Sequence, residues 1–130
     1  MPPMQQSLSA SPCLLVADVQ ASAAYYRDRL GFAVTLHGDP PDFVVAERDD
    51  AIFLLAACDD ETAIVPNWQV QDKTWNAYVR CADADALYAE LIERGAIIDY
   101  EIYDAPHGFR EFGVQDPDGY DIAFGQRVVR

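Results

Sequence analysis

Basic residues are scarce in this chain. Nine lysines and arginines stand against 22 aspartates and glutamates, for a net charge of −13. So acidic a surface repels phosphate, which argues against nucleic acid or an anionic membrane as partner. Long apolar runs are missing as well. The stretch AIFLLAAC, Ala51 to Cys58, falls far short of the roughly 18 residues a membrane-crossing helix needs. The opening MPPMQQSLSASP has neither a basic start nor a long apolar stretch. A secretory signal is therefore not expected, and residues 1–10 read as a flexible lead-in. Cysteine is limited to Cys13, Cys58 and Cys81, an odd count without metal-type spacing. Each has apolar neighbours, so buried free thiols in a reducing, cytoplasmic compartment are expected.

What is present suits a packed core. The 130 residues are 51% hydrophobic and 12% aromatic, which excludes disorder and corresponds to about one domain. The acidity would draw a cationic ligand inward, although it also serves solubility.

The chain repeats itself. LLVADVQASAAYYRDRLGFAV, from Leu14, and AYVRCADADALYAELIERGAII, from Ala77, align Asp18 with Asp83 at an offset of 65 residues. After a one-residue gap in the helix, Gly31 aligns with Gly95. Both copies run apolar strand, aspartate, helix, glycine, apolar strand, and ERDDAIFLLA then matches VQDPDGYDIAFG. Each copy therefore reads β-α-β-β-β. Asp18 and Asp83 stand at helix N-caps. Ala23, Ala24, Tyr26 and Leu30 are the buried face of one helix; Leu87, Leu91 and Ile92 are that of the other. Gly31 and Gly95 are C-terminal stops, and Asp116–Gly119 is a tight turn. The expected fold is α+β: module one over 11–58, a linker over 59–73 and module two over 74–126. Each module is too small to bury enough surface alone, so the pair should share one continuous core or sheet, curled with helices outside and a concave face within.

VADVQASAAYYRDRLGF together with GFREFGVQDPDGYDIAFGQ resembles the vicinal oxygen chelate superfamily, which holds glyoxalase I, extradiol dioxygenases and fosfomycin- and bleomycin-resistance proteins. The resemblance covers residues 11–126, and the ending looks more like the bleomycin-resistance branch. It implies a U-shaped mixed sheet of paired modules, usually in a homodimer, with the ligand inside the cupped sheets. In metal-using relatives, ligands come from the first and fourth strands of each module. The matching positions here are Ser11, Leu54, Asn76 and Ala123. Divalent catalytic metals want imidazole and carboxylate ligands. Leucine and alanine donate nothing, and serine and asparagine are weak, so no metal and no cofactor is expected. A replacement site around Glu111, Asp121 and His107 remains an alternative, against a reading of His107 as a solvated loop residue. No catalytic residue is assigned: no Ser-His-Asp, Cys-His or glycine-rich phosphate loop is visible.

Strand alternation sorts the pocket face. With Asn76 facing inward, so do Tyr78 and Arg80, while Ala77, Val79 and Cys81 pack beneath the helix. Glu111, Gly113 and Gln115 share that face, as do Asp121 and Ala123; Phe112, Val114, Ile122 and Phe124 join the core. Phe43, Trp68, Trp75, Tyr103 and Phe109 are candidate walls, the two tryptophans serving equally as dimer contacts. Arg80 either contacts ligand or pairs with Glu111 or Asp121. The candidate ligand-binding set is thus Trp68, Trp75, Asn76, Tyr78, Arg80, Phe109, Glu111 and Asp121. An aromatic, acidic cleft suits a flat or cationic organic molecule, such as a bleomycin-like antibiotic held without chemistry. The alternatives are a glyoxalase-type lyase or dioxygenase with an unusual metal site, and an accessory module acting through its surface.

Overall fold

A computed structural model describes residues 2–128. The elements follow in the order β1 (Cys13–Val16), α1 (Val19–Asp28), β2 (Ala33–His37), β3 (Phe43–Arg48), β4 (Ala51–Ala57), α2 (Asn67–Val70), β5 (Ala77–Arg80), α3 (Ala84–Arg94), β6 (Ile97–Ala105), β7 (Phe109–Gln115) and β8 (Asp121–Arg127). Among the described residues no helix is long and apolar enough to cross a membrane. Each βαβββ module makes its own four-stranded sheet, β1-β4-β3-β2 and β5-β8-β7-β6. In both, the first strand pairs parallel with the fourth and the other pairings are antiparallel. The α+β repeat expected from the sequence is present. The continuity lies in the core, where Tyr26, Phe32 and Phe53 of module one join Leu91, Phe112 and Ile122 of module two; the backbone ladders remain two separate sheets.

Local chemistry fixes the helices. The Asp18 carboxylate accepts from the N–H groups of Gln20 and Ala21 at 3.0 and 3.1 Å, and Asp83 accepts from that of Ala86 at 3.0 Å. Such a cap contributes about 1 kcal/mol. Gly95 ends α3 in the left-handed conformation, φ 84°, with its N–H on the Ile92 and Leu91 carbonyls. Two contacts depart from expectation. Ile92 is 49% exposed, and the core side of α3 is carried by Ala84, Leu87, Tyr88 and Leu91 instead. Cys13 is exposed and Cys58 and Cys81 are half-buried, because alternation on β1 turns Leu14 and Val16, not Cys13, into the core.

The modules are tied by polar contacts that follow the repeat. Arg29 donates to the Arg94 carbonyl at 2.8 Å, and Arg94 donates to the Asp28 carbonyl at 3.3 Å, so each helix C-terminus receives a guanidinium from the other module. Both cations sit where free carbonyls and the helix dipole favour positive charge. Arg48 on β3 grips Glu90 on α3 through two bonds of 2.8 Å, and Arg94 adds a third of 2.8 Å. These guanidinium bonds hold the Glu90 carboxyl down at about 2.

The turn between β7 and β8 inserts against module one. Buried Asp116 accepts from the N–H groups of Asp118 and Tyr120 at 3.0 Å each and from the Tyr26 hydroxyl at 2.9 Å. Asp118 accepts from the Ala17 N–H at 3.1 Å, and the Tyr120 hydroxyl donates to the Leu15 carbonyl at 2.7 Å. Burial pushes the Asp116 carboxyl up to about 6, against the pull of its hydrogen bonds. A raised value in the folded state means that Asp116 supports folding most below its unfolded value near 3.8, and that this support is lost as pH rises through about 6. For a rise from 3.8 to about 6 the full loss is on the order of 3 kcal/mol. Thermal denaturation between pH 4.5 and 6.5, above the window in which Glu90 responds, should show stability falling with pH relative to Asp116→Asn, in which that slope flattens.

Candidate functional site

The site lies on the concave face of the second sheet. Alternation turns Ala77, Val79 and Cys81 of β5 towards the core, leaving Tyr78 and Arg80 on the opposite side. On β7 the same logic buries Phe112 and Val114 in the core and sets Glu111 and Gly113 on the concave side. Glu111 is only 1% exposed. A buried carboxylate requires strong partners, and it has three. The Tyr78 hydroxyl donates to Oε1 at 3.0 Å and the Tyr100 hydroxyl to Oε2 at 2.5 Å, while His107 Nε2 lies 2.7 Å from Oε1. The Trp75 indole N–H in turn donates to the Tyr100 oxygen at 3.1 Å. Burial, reinforced by the Glu111 bond and charge, pushes both tyrosine hydroxyls above their ordinary range, so they stay neutral donors.

Aromatic edges complete the cluster. The Tyr78 ring meets Trp75 at 4.9 Å and Phe109 at 5.7 Å between centroids, and His107 lies 5.4 Å from Phe109. Trp75, Tyr78, Arg80, His107 and Phe109 enclose a shallow recess of about 240 Å³. Beneath them Gly113 and Ala123 pair across β7 and β8, and Glu111 pairs with Gly125. A larger groove of about 970 Å³ shares Tyr78 and Arg80 with this cluster and extends between the segment Ala10–Pro12, the β3–β4 turn, β5 and α3.

Five of the eight expected residues therefore converge: Trp75, Tyr78, Arg80, Phe109 and Glu111. Arg80 is exposed and, among the described residues, makes no ion pair. Of the two alternatives for Arg80, pairing with Glu111 or Asp121 is not realised: hydroxyls and imidazole already hold the Glu111 oxygens. Trp68 stands apart, donating to the Gly119 carbonyl at 2.6 Å. Asn76 Oδ1 accepts from the Asn67 N–H at 2.9 Å, at the start of α2. Asp121 shares the concave face but accepts from Gln115 Nε2 at 2.9 Å, and burial raises its carboxyl. It is four residues of strand from the Glu111 register, about 13 Å at roughly 3.3 Å per residue. Of the other candidate walls, Tyr103 lies at the margin with its ring 5.9 Å from Tyr100, and Phe43 belongs to the first sheet beside His37. Two members were not among the expected ligand-binding residues. The His107 side chain reaches Glu111 from the β6–β7 turn, and Tyr100 was absent from the pocket face altogether. Gly113, a glycine inside a strand, was the signal that a large group approaches there.

The four family metal positions do not fit a metal. Ala123 is fully buried without a donor, Leu54 offers none, the Asn76 oxygen is engaged and Ser11 is exposed. Among the described residues no three His, Cys, Asp or Glu side chains gather as a ligand set.

The paired βαβββ fold is the architecture of the glyoxalase class. The chain belongs to the Glyoxalase/Bleomycin resistance protein/Dioxygenase superfamily, whose family model matches residues 9–124. Comparison with curated proteins gives no match. Among solved structures, the bleomycin-binding protein from bleomycin-producing Streptomyces verticillus, complexed with copper(II)-bleomycin, is 27% identical. That likeness covers 98% of this chain and 100% of that one, with a TM-score of 0.68. The bleomycin resistance determinant of transposon Tn5 is 20% identical over 95% of this chain and 100% of its own, TM-score 0.72. A glyoxalase-related enzyme from Clostridium phytofermentans is 17% identical over 95% and 98%, TM-score 0.75. The last two show the fold alone.

The Glu111 network predicts its own energetics. Tyr100→Phe leaves a buried carboxylate oxygen without its donor and should lower stability by about 1–3 kcal/mol in urea denaturation. Arg80→Ala, at an exposed site without an ion pair, should stay within about 0.5 kcal/mol of the parent chain.

Proposed function

We propose that this protein captures a flat, cationic organic molecule in the aromatic recess above Glu111, without a bound metal and without chemical conversion, as a bleomycin-like antibiotic would be sequestered. The observation that carries the reading is Glu111 itself. A buried carboxylate ringed by tyrosine, tryptophan, phenylalanine and histidine is a counter-ion with stacking walls, the chemistry a planar cation requires. The net charge of −13 favours its approach. The 27% identity with a protein complexed with copper(II)-bleomycin supports that drug class as the first to test. A cytoplasmic location accords with three free thiols.

A homodimer belongs to the same proposal. Phe43, Val45, Ile52 and Leu54, on the face of the first sheet opposite the core, are only half-buried, and Leu15 is 38% exposed, so a second copy has an apolar face to cover. The enzymatic alternative draws support from the 2.7 Å His107–Glu111 contact, an imidazole–carboxylate pair able to move a proton.

Calorimetry with bleomycin, in parallel with and without EDTA, tests the reading. One equivalent should bind per chain, EDTA should leave the affinity unchanged, and Glu111→Gln should weaken it about tenfold or more. Affinity that collapses in EDTA, or that ignores Glu111, contradicts the reading.

A further inference from the structure

The floor of the concave face is nearly bare of side chains. Gly113, Ala123 and Gly125 lie together on the two central strands of the sheet. Glycine within a strand weakens it and marks close approach by another group. Here that group is the chain itself. Tyr78, from edge strand β5, covers Gly125, and Tyr100, from edge strand β6, covers Gly113. A Cβ at Gly125 would lie 2.7 Å from Tyr78 Cζ, and one at Gly113 would lie 2.6 Å from Tyr100 Cδ1. Real Cβ atoms do not come so close, so neither ring could rest there over any other residue.

Both rings are only half-buried and stand outside the hydrophobic core. Their hydroxyls anchor them, one on each oxygen of the Glu111 carboxylate: Tyr78 on Oε1, which His107 Nε2 also approaches at 2.7 Å, and Tyr100 on Oε2. Two donors arriving on the two oxygens of one carboxylate is the pattern a guanidinium or amidinium makes with its parallel N–H pair. Two aromatic rings above a peptide floor fill the space that one fused planar ring system would fill.

Resting on the binding reading above, we infer that Tyr78 and Tyr100 are a displaceable plug standing in the ligand's place. The ligand is a planar aromatic amidinium or guanidinium. Its ring lies on the Gly113–Ala123–Gly125 floor, and its paired N–H groups replace the two hydroxyls on Glu111. The tyrosines swing outward and join Trp75 and Phe109 as walls. With no ligand, the plug supplies two of the three donors of the buried carboxylate, His107 Nε2 at 2.7 Å from Oε1 being the third.

The probe is 2-naphthamidine, with N-methylquinolinium as a planar cation lacking the N–H pair, both titrated by calorimetry. 2-Naphthamidine should bind at one equivalent and about tenfold tighter than N-methylquinolinium. Glu111→Gln should weaken it by about tenfold or more, while the double variant Tyr78→Phe/Tyr100→Phe, whose rings have lost their anchor, should bind about three- to tenfold tighter than the parent chain. Tyr78→Phe alone should show a smaller gain in the same direction, and it keeps the test decisive should the double variant not fold. If Glu111→Gln weakens 2-naphthamidine but the phenylalanine variants bind it no tighter, the plug is overturned and the binding reading stands. If bleomycin binds through Glu111 while 2-naphthamidine does not, the ligand class is overturned. If neither bleomycin nor 2-naphthamidine binds the parent chain, the binding reading falls as well.

Discussion

A carboxylate that is 1% exposed in the middle of a sheet has to be satisfied by hydrogen bonds, and meeting that demand shapes the concave face of this protein. Left without donors, such a group destabilises the fold by several kcal/mol, about 3–5 by the usual measure of a broken buried pair. The chain brings two tyrosines from opposite edge strands and a histidine from the β6–β7 turn to Glu111. The tyrosine rings can reach only because Gly113 and Gly125 leave the floor clear. Charge, floor and aromatic roof are thus one arrangement, in which each part is required by the others.

The rest of the molecule supports that sheet. The second module cannot cover its own inner surface, so Phe112 and Ile122 share a core with Tyr26 and Phe53. Polar contacts then fix how the modules meet. The Asp116 turn binds Tyr26, the reciprocal Arg29 and Arg94 contacts close both helix C-termini, and Glu90 joins α3 to β3. None of these contacts involves Glu111 or its partners Tyr78, Tyr100 and His107. Ligand chemistry can therefore vary at Glu111 while these contacts maintain the fold.

Features set by short-range chemistry were readable in advance. The capping aspartates, the left-handed Gly95 and the Asp116–Gly119 turn depend on neighbours in sequence, and the repeat extended them to a whole architecture. Regular alternation on β5, β7 and β8 placed Tyr78, Glu111 and the core residues on their correct sides. Alternation did not reach Tyr100, because β6 changes register between Ile98 and Tyr100 and again before Tyr103. Asn76 and Trp68 were hidden differently: the linker folds into α2, which takes the Asn76 oxygen, while the Trp68 indole turns to Gly119. That the core would be continuous and the ladders separate depends on how two sheets meet across many residues, which no local pattern encodes.

The central claim is that ligand is held at Glu111 rather than elsewhere on an acidic surface. The two tryptophans provide a direct report, since each indole N–H has a single distinct partner: Tyr100 for Trp75 and the Gly119 carbonyl for Trp68. The measurement is the indole region of a ¹H–¹⁵N correlation spectrum during titration with bleomycin. The Trp75 indole signal should shift in proportion to saturation while that of Trp68 stays in place. A shift confined to Trp68, or saturation that leaves Trp75 unmoved, would place the ligand elsewhere and contradict the account.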